Sequence, residues 1–316
     1  MKQPWESDIP FHIDEVRAIV QQHTGRDHLR IQKMDEGWDM KIFLVNEELI
    51  FRFTKREFVI PFIQTEILAL PMLEGRLTSP IPQIRYRGLF KGSYPYFAYP
   101  MIPGEIAAGL SLTPSERQQL ITPVTRFMNE LHAIPLTDEM RTVIRGDTIG
   151  RLNIARRTEQ IKERLPLTRS LSIPFSVDWI ADLLAGIHQQ DVEKVSCLVH
   201  GDLHVRNILV KERTTLAGVI DWTDIHIGHP AKDLAFAVSF FDPDAFRQVI
   251  AHYHTFRPAY FFLACFSALH LACRLTEYAL DIEDKVLLEE CKTSFMNIQQ
   301  NFLTFYAPSR PPHAPL

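Results

Sequence analysis

The chain has 316 residues, 46% of them hydrophobic, and a formal net charge of −4 at pH 7. That length and apolar content suffice for a full core and for two domains of roughly 100 to 200 residues each. The 34 Lys+Arg and 38 Asp+Glu residues are scattered along the chain, so no basic footprint for nucleic acid is present and none is expected as a partner.

In chain order, residues 11–25, FHIDEVRAIVQQHTG, read as a short amphipathic helix closed by Gly25. The period then changes to two. LRIQKMDEG, DMKIFLVN and ELIFRFTK are β-rich, and Asn46-Glu47 sits where a tight hairpin joins the last two. A helix-like stretch, EFVIPFIQTEILALPMLEG, has Pro61 near its start. Two more strand candidates, IPQIRYRG and YPYFAYPMI, complete a five-stranded antiparallel sheet with one inserted helix. YPMIPGE, residues 99–105, is a stiff connector, which divides the chain into lobes 1–100 and 101–306. The second is mostly helical, with helices expected at 115–133, 151–165, 177–190, 243–256, 259–280 and 283–306. Residues 307–316, APSRPPHAPL, read as a disordered tail.

Cys197, Cys265, Cys273 and Cys291 lie in apolar or helical surroundings without C-x-x-C spacing, the usage of buried thiols in a reducing compartment. The start, MKQPWESDIP, has no apolar leader core. The longest apolar run, AYFFLACFSALHLAC, is short for a bilayer and contains His270. A cytoplasmic protein with no membrane partner is expected.

One segment is too polar for its apolar flanks: CLVHGDLHVRNILV, residues 197–210. Asp202 and Asn207 have the D-x-x-x-x-N spacing of a kinase catalytic loop, in which the aspartate receives a hydroxyl proton and the asparagine holds magnesium. Asp221 ends the next β-like run, LAGVID. An amide oxygen and a carboxylate suffice for Mg²⁺, which fills its other positions with phosphate and water. His200 and His204 flank Asp202 and pose a zinc alternative, but zinc leaves Asn207 and Asp221 unexplained. Asp202 and Asn207 taken singly also suit plain turns.

LVHGDLHVRNILV followed by GVIDWTDIHIGHPAKDLAF resembles the catalytic and metal-binding segments of the aminoglycoside phosphotransferase family, which includes macrolide kinases. EGWDMKIFLVNEELIFRF resembles its nucleotide-covering hairpin and YFAYPMIPGE its hinge, so the likeness spans roughly residues 30 to 310. The resemblance implies an α+β, bilobal, protein-kinase-like fold and an enzyme that moves the γ-phosphate of ATP or GTP to a hydroxyl of a small molecule. An aminoglycoside leads as acceptor, a macrolide follows, and a metabolite such as choline, homoserine or a sugar derivative comes third. A catalytically silent nucleotide-binding protein is the reading from another class.

Carried over position by position, Asp202 is the base, and Asn207 and Asp221 are Mg²⁺ ligands. Arg52 stands in the place of the phosphate-binding lysine, with Glu66 as its ion-pair partner. Lys55, three residues on, faces the other way by strand alternation. Backbone around Gly37 approaches phosphate, although this turn has one glycine where protein kinases have three. The Met101 N–H and the Tyr99 carbonyl are the candidate purine contacts, because Pro100 and Pro103 have no amide hydrogen. His229 stands where the family often has aspartate, and neither it nor Arg206 receives a role.

On the acceptor side the readings stay open. Asp224 lines the acceptor site or is an exposed turn carboxylate. Glu277 and Asp281, near Glu283 and Asp284, bind a cationic acceptor or form a solvated helix junction. Asp233 caps a helix or bonds the catalytic loop, in preference to a ligand role. Tyr260, Phe261, Phe262 and Phe266 are core or a macrolide pocket.

Overall fold

The computed structural model describes residues 7–36, 39–171, 177–187, 192 and 195–306. Helix α1 (Ile13–Thr24) ends on Gly25 at φ 64°, a left-handed backbone that costs least without a Cβ. Five strands follow: β1 (Ile31–Glu36), β2 (Met40–Val45), β3 (Leu49–Thr54), β4 (Tyr86–Phe90) and β5 (Tyr94–Pro100). They form one antiparallel sheet in the order β1-β2-β3-β5-β4. Asn46 and Glu47 take φ of 52° and 60° at the β2–β3 connection, the mirror-type turn whose twist matches the strands it joins. β4 starts later than its apolar pattern suggests, since Pro80 and Pro82 have no N–H for a ladder.

Helix α2 (Ile60–Leu73) is inserted between β3 and β4, with Pro61 in its first turn. Period-two alternation along β3 decides what each face of the sheet holds. Phe51 and Phe53 pack with Phe43, Phe90, Tyr96 and the α1 residues Val16 and Val20. Ile50 packs with Met40, Phe97, Tyr99 and the α2 residues Ile63 and Ile67. Arg52 lies on the Ile50 face, toward α2.

The rest of the chain is mainly helical: α3 (Pro114–Gln119), α4 (Ile121–His132), α5 (Asp138–Val143), α6 (Ile154–Arg164), α7 (Asp178–Ala185), α8 (Ala231–Phe240), α9 (Pro243–His252), α10 (Pro258–Asp281) and α11 (Lys285–Phe305). The single helix expected over 115–133 is broken at Leu120, because Pro123 has no N–H for the Gln119 carbonyl. Two small sheets sit among the helices. β6 (Glu105–Ile106), β8 (Ile208–Lys211) and β9 (Thr215–Val219) form one, and β7 (Cys197–Val199) with β10 (His226–Gly228) the other. The architecture is α+β and two-lobed.

α10 changes one sequence argument. The apolar run 259–273 belongs to a 24-residue helix that is long and apolar enough to cross a membrane by length and composition. Of its most apolar window, 78% is buried inside the protein, where its Phe, Leu and Ala side chains join α8 and α11 in the largest apolar cluster. A helix apolar on every side is what a helix at the centre of a core requires.

Candidate active site

A cavity of about 560 Å³ lies where the five-stranded sheet meets the helices. Ile42, Ile50 and Tyr99 from the sheet, and Leu209 and Ile220 from the β8–β9 region, form its apolar walls. Asp202, Asn207, Asp221 and Asp224 reach it from loops, and Leu271, Arg274 and Leu275 from α10. The i, i+3, i+4 spacing of the last three is one helix face.

The segment after β7 is a loop held by buried hydrogen bonds. Gly201 has φ 85°, and a Cβ there would meet the Asp224 carbonyl oxygen at 2.2 Å, so only glycine fits. Asp233, fully buried on α8, accepts from His200 N (2.8 Å) and Gly201 N (2.9 Å), and pairs with His132 Nε2 (3.0 Å). Burial pushes the Asp233 carboxyl up, but His132 and these amides hold it below the ordinary range. Among its sequence readings, bonding to the catalytic loop is the one this geometry has, since Pro230 is the capping residue of α8.

His200 Nδ1 accepts from Asp202 N at 3.3 Å, leaving the ring hydrogen on Nε2, which faces Ile220 O at 3.1 Å. Burial lowers the pKa of His200, which favours the neutral ring. His204 repeats the device: Nδ1 accepts from Arg206 N (3.1 Å) and Nε2 donates to Asp202 Oδ2 (3.2 Å). Burial pushes Asp202 up, but His204, Lys232 and Arg274 outweigh it and hold the carboxyl well below the usual range. Asp202 is therefore ionised, with its carboxylate at the cavity wall. Asn207 Nδ2 donates to Asp202 O at 2.8 Å, which turns the amide oxygen to the opposite side.

Asp221 sits at φ 63°, a left-handed conformation that aspartate tolerates better than most residues. Next to it Trp222 is fully buried. Asp221 Oδ1 accepts from Arg52 Nη2 (2.6 Å), and Thr223 Oγ1 lies 2.9 Å from the same oxygen. Burial raises the Asp221 pKa, and the Arg52 charge and hydrogen bond then take it below the ordinary value. Arg52 Nη1 donates to Glu66 Oε1 at 2.8 Å. Glu66, with no exposed surface, also accepts from Trp222 N (3.1 Å) and Thr223 Oγ1 (2.8 Å). One glutamate of α2 thus ties β3 to the Asp221 turn, with both carboxylate oxygens satisfied.

Of the residues singled out in the sequence, Arg52, Tyr99, Met101, Asp202, Asn207, Asp221 and Asp224 line this one cavity, with Glu66 directly behind Arg52. Lys55 is buried and does not line it. Gly37 lies outside the described residues. Met101 requires a correction: its N–H donates to Glu48 O at 2.7 Å, because the β3–β5 pairing runs one residue past Pro100. Tyr99 is inside β5, opposite Ile50. Ile102 is the next cavity residue with an amide, and its N–H meets no acceptor among the described residues.

The acceptor-side expectations also change. Asp224 lines the cavity but is held by Arg151, whose Nε lies 3.0 Å from Oδ1. Glu277 pairs with Arg164 Nε at 2.7 Å, and neither it nor the exposed Asp281 lines the cavity. Arg151, Arg274 and Asp39 were missed in the sequence. Arg151 and Arg274 stand in separate segments with no motif around them, and Asp39 lies within the EGWDMKIF hairpin, where only the backbone around Gly37 was singled out. Burial pushes the Asp39 carboxyl up to about 6, against the pull of Arg56 and with the added repulsion of Asp224 and Asp221. Among the described residues no three His, Cys, Asp or Glu side chains are grouped to hold a metal ion.

The model of the phosphotransferase enzyme family (APH) matches residues 30–264, well over half of the chain. The chain belongs to the phosphotransferase enzyme family. It is 23% identical over 262 residues to YcbJ of Bacillus subtilis (strain 168), described as uncharacterized, covering 76% of this chain and 80% of that protein. Similar solved structures include the GDP complex of wild-type aminoglycoside 2'-phosphotransferase-IIIa, at TM-score 0.68 and 21% identity over 91% of this chain and 98% of the other. Macrolide 2'-phosphotransferase type I aligns at TM-score 0.56 and 19% identity over 88% and 96%. At such identities these structures share the fold, which for this chain is the bilobal, protein-kinase-like one.

Proposed function

We propose that this member of the phosphotransferase enzyme family uses a nucleoside triphosphate, ATP or GTP, to phosphorylate a hydroxyl of a small molecule. The observation that carries the reading is the convergence of Asp202, Asn207, Asp221 and Arg52 on one cavity with an apolar wall of Ile42, Ile50, Leu209 and Ile220. The apolar wall suits a purine, and the Ile102 amide suits one of its ring acceptors. Solved relatives of this fold hold GDP or ATP with streptomycin, which supports a nucleotide donor.

Asp202 orients the acceptor hydroxyl and takes its proton as the new O–P bond forms and the bond to the bridging β–γ oxygen breaks, releasing nucleoside diphosphate. The donor set fits magnesium: Asn207 offers an amide oxygen, and Asp221 a carboxylate whose Oδ2 is not used by Arg52 or Thr223. Bound there, Mg²⁺ would neutralise charge on the transferring phosphate. Arg52 lines the cavity, held in place by Glu66 and Asp221, and directs positive charge toward the phosphates. All four cysteines are free, which supports a reducing compartment such as the cytoplasm.

An aminoglycoside, the acceptor that the resemblance favours, would want open carboxylates in the cavity. Asp224 is already paired with Arg151, and Glu277 and Asp281 lie off the lining. The acceptor reading therefore stops here at a hydroxylated small molecule.

The deciding assay is magnesium-dependent release of nucleoside diphosphate with and without hydroxylated acceptors. Acceptor-stimulated turnover is the expected result, and Asp221→Ala should remove the magnesium dependence of nucleotide binding. Tight nucleotide binding with no turnover on any acceptor would favour the silent nucleotide-binding reading.

A further inference from the structure

Beyond Asp202 the cavity is walled by α10, and cations gather in and behind this half. Arg206 and Arg274 line it, and Arg206 stacks over the Tyr278 ring at 4.8 Å. Behind them on α6, Arg157 is only 8% exposed. Its donors go to neutral oxygens, Arg151 O (3.3 Å) and Gln160 Oε1 (2.8 Å). Lys232 on α8 is equally buried at 8% and stands close enough to Asp202 and Asp224 for its charge to act on both. Neither Arg157 nor Lys232 forms an ion pair among the described residues.

The carboxylates nearby are already engaged. Asp147 and Asp224 hold Arg151, Glu277 holds Arg164, and Asp233 holds His132 and the loop amides. Burial pushes Arg157 down to about 10, and Arg156, Arg274 and Arg151 push it further the same way. His270, bonded to Gln160 Oε1 at 3.0 Å, is pushed down to about 2 by burial and by Arg157, Arg274, Lys232 and Arg164. Cations from α6, α8 and α10 therefore bear on one place. Asp202 balances part of this charge, because Lys232 and Arg274 act on it, but Arg157 and Lys232 have no carboxylate within ion-pair distance among the described residues; burying charge in that state is costly, and a ligand of opposite charge relieves that cost.

We propose that the acceptor is an anionic hydroxy compound, a carboxylate or a phosphate ester, whose charged group docks at Arg274 with Lys232 and Arg157 behind it while its hydroxyl faces Asp202. This rests on the phosphotransferase reading above. It places a polycationic acceptor at a disadvantage, because the same field repels it.

The test measures magnesium-dependent nucleoside diphosphate release with three matched sets of acceptors: neutral sugars, the corresponding sugar acids and sugar phosphates, and amino sugars including kanamycin. Nucleotide affinity and acceptor-independent hydrolysis are read in parallel. The acidic set alone should stimulate turnover, with a KM that rises with ionic strength, and the sugar acids and sugar phosphates separate the two anionic groups. Arg274→Ala should raise that KM on the order of tenfold, the scale of one charge-assisted hydrogen bond, with a smaller change in kcat. Arg274→Lys should recover most of the loss, and Lys162→Ala, on the exposed side of α6, should change nothing. If Arg274→Ala does not fold, Arg274→Lys and the ionic-strength series on the unchanged chain decide. The proposal is overturned by higher kcat/KM on neutral or amino sugars, by a KM insensitive to both Arg274 and salt, or by a nucleotide-competent enzyme that no set stimulates. Failure to bind nucleotide at all overturns the phosphotransferase reading itself.

Discussion

The two halves of the cavity use the same kinds of charged residue and leave them in different states. On the nucleotide side, Arg52 is closed by Glu66 at 2.8 Å and Asp221 at 2.6 Å. On the acceptor side, Arg157 and Lys232 are buried without a carboxylate partner among the described residues, while Asp224 and Glu277 are held by Arg151 and Arg164. A closed set of charges sets geometry and needs no ligand to be stable. An unbalanced set stores a cost that a ligand of opposite charge removes. The first half suits chemistry done on every substrate, and the second suits selection of one.

Asp202→Asn, at the junction of the halves, carries the largest expected effect. Transfer should fall on the order of a thousandfold, with nucleotide affinity within a few fold, measured by single-turnover transfer and by equilibrium binding. A variant with near-normal transfer would place the base elsewhere.

The next contrast concerns stability. Glu66→Gln leaves Arg52 buried with only Asp221 opposite it and should cost about 3 kcal/mol in denaturant unfolding. Arg157→Met removes an unpaired buried charge and should cost less than about 1 kcal/mol, or stabilise, while weakening an anionic acceptor. Equal losses in the two variants would erase the distinction between the halves.

A smaller effect depends on pH. Asp39 titrates near 6 when folded, against an ordinary 3.8, so the folded chain holds this proton more tightly than the unfolded one. Stability from this group therefore falls as pH rises from about 4 through about 6 and levels off above that. Asp39→Asn should be more stable than the unchanged chain at pH 7 by about 2 kcal/mol, allowing for partial exposure and the lost Arg56 pair. The difference should close toward pH 4 in thermal melts. Smallest of all, Asp281→Ala should leave kcat/KM within about twofold, the usual range for an exposed side chain off the site. A larger loss would mean that the acceptor half extends past the end of α10.

Much of this was legible beforehand where the cause was local. Alternation in ELIFRFTK sets Arg52 apart from Phe51 and Phe53, and Asn46-Glu47 forms the expected turn. The spacing of Asp202 to Asn207 is short enough for one loop, closed by the Asn207 Nδ2 bond to Asp202 O. Proline effects were only half visible: Pro61 starts α2 as read, but the break before α4 and the late start of β4 were not drawn from Pro123 and Pro82.

The sequence by itself determined the sheet, the inserted helix, the polar loop between apolar anchors and the carboxylate that ends the next strand. These follow from periodicities and spacings of a few residues. Tertiary structure alone decided that the Met101 amide is used by Glu48, that Asp224 is held by Arg151, and that cations of α6, α8 and α10 meet beyond Asp202. The physical reason is range. A hydrogen bond or unbalanced charge depends on which distant segments arrive within a few ångströms, and no local pattern records that.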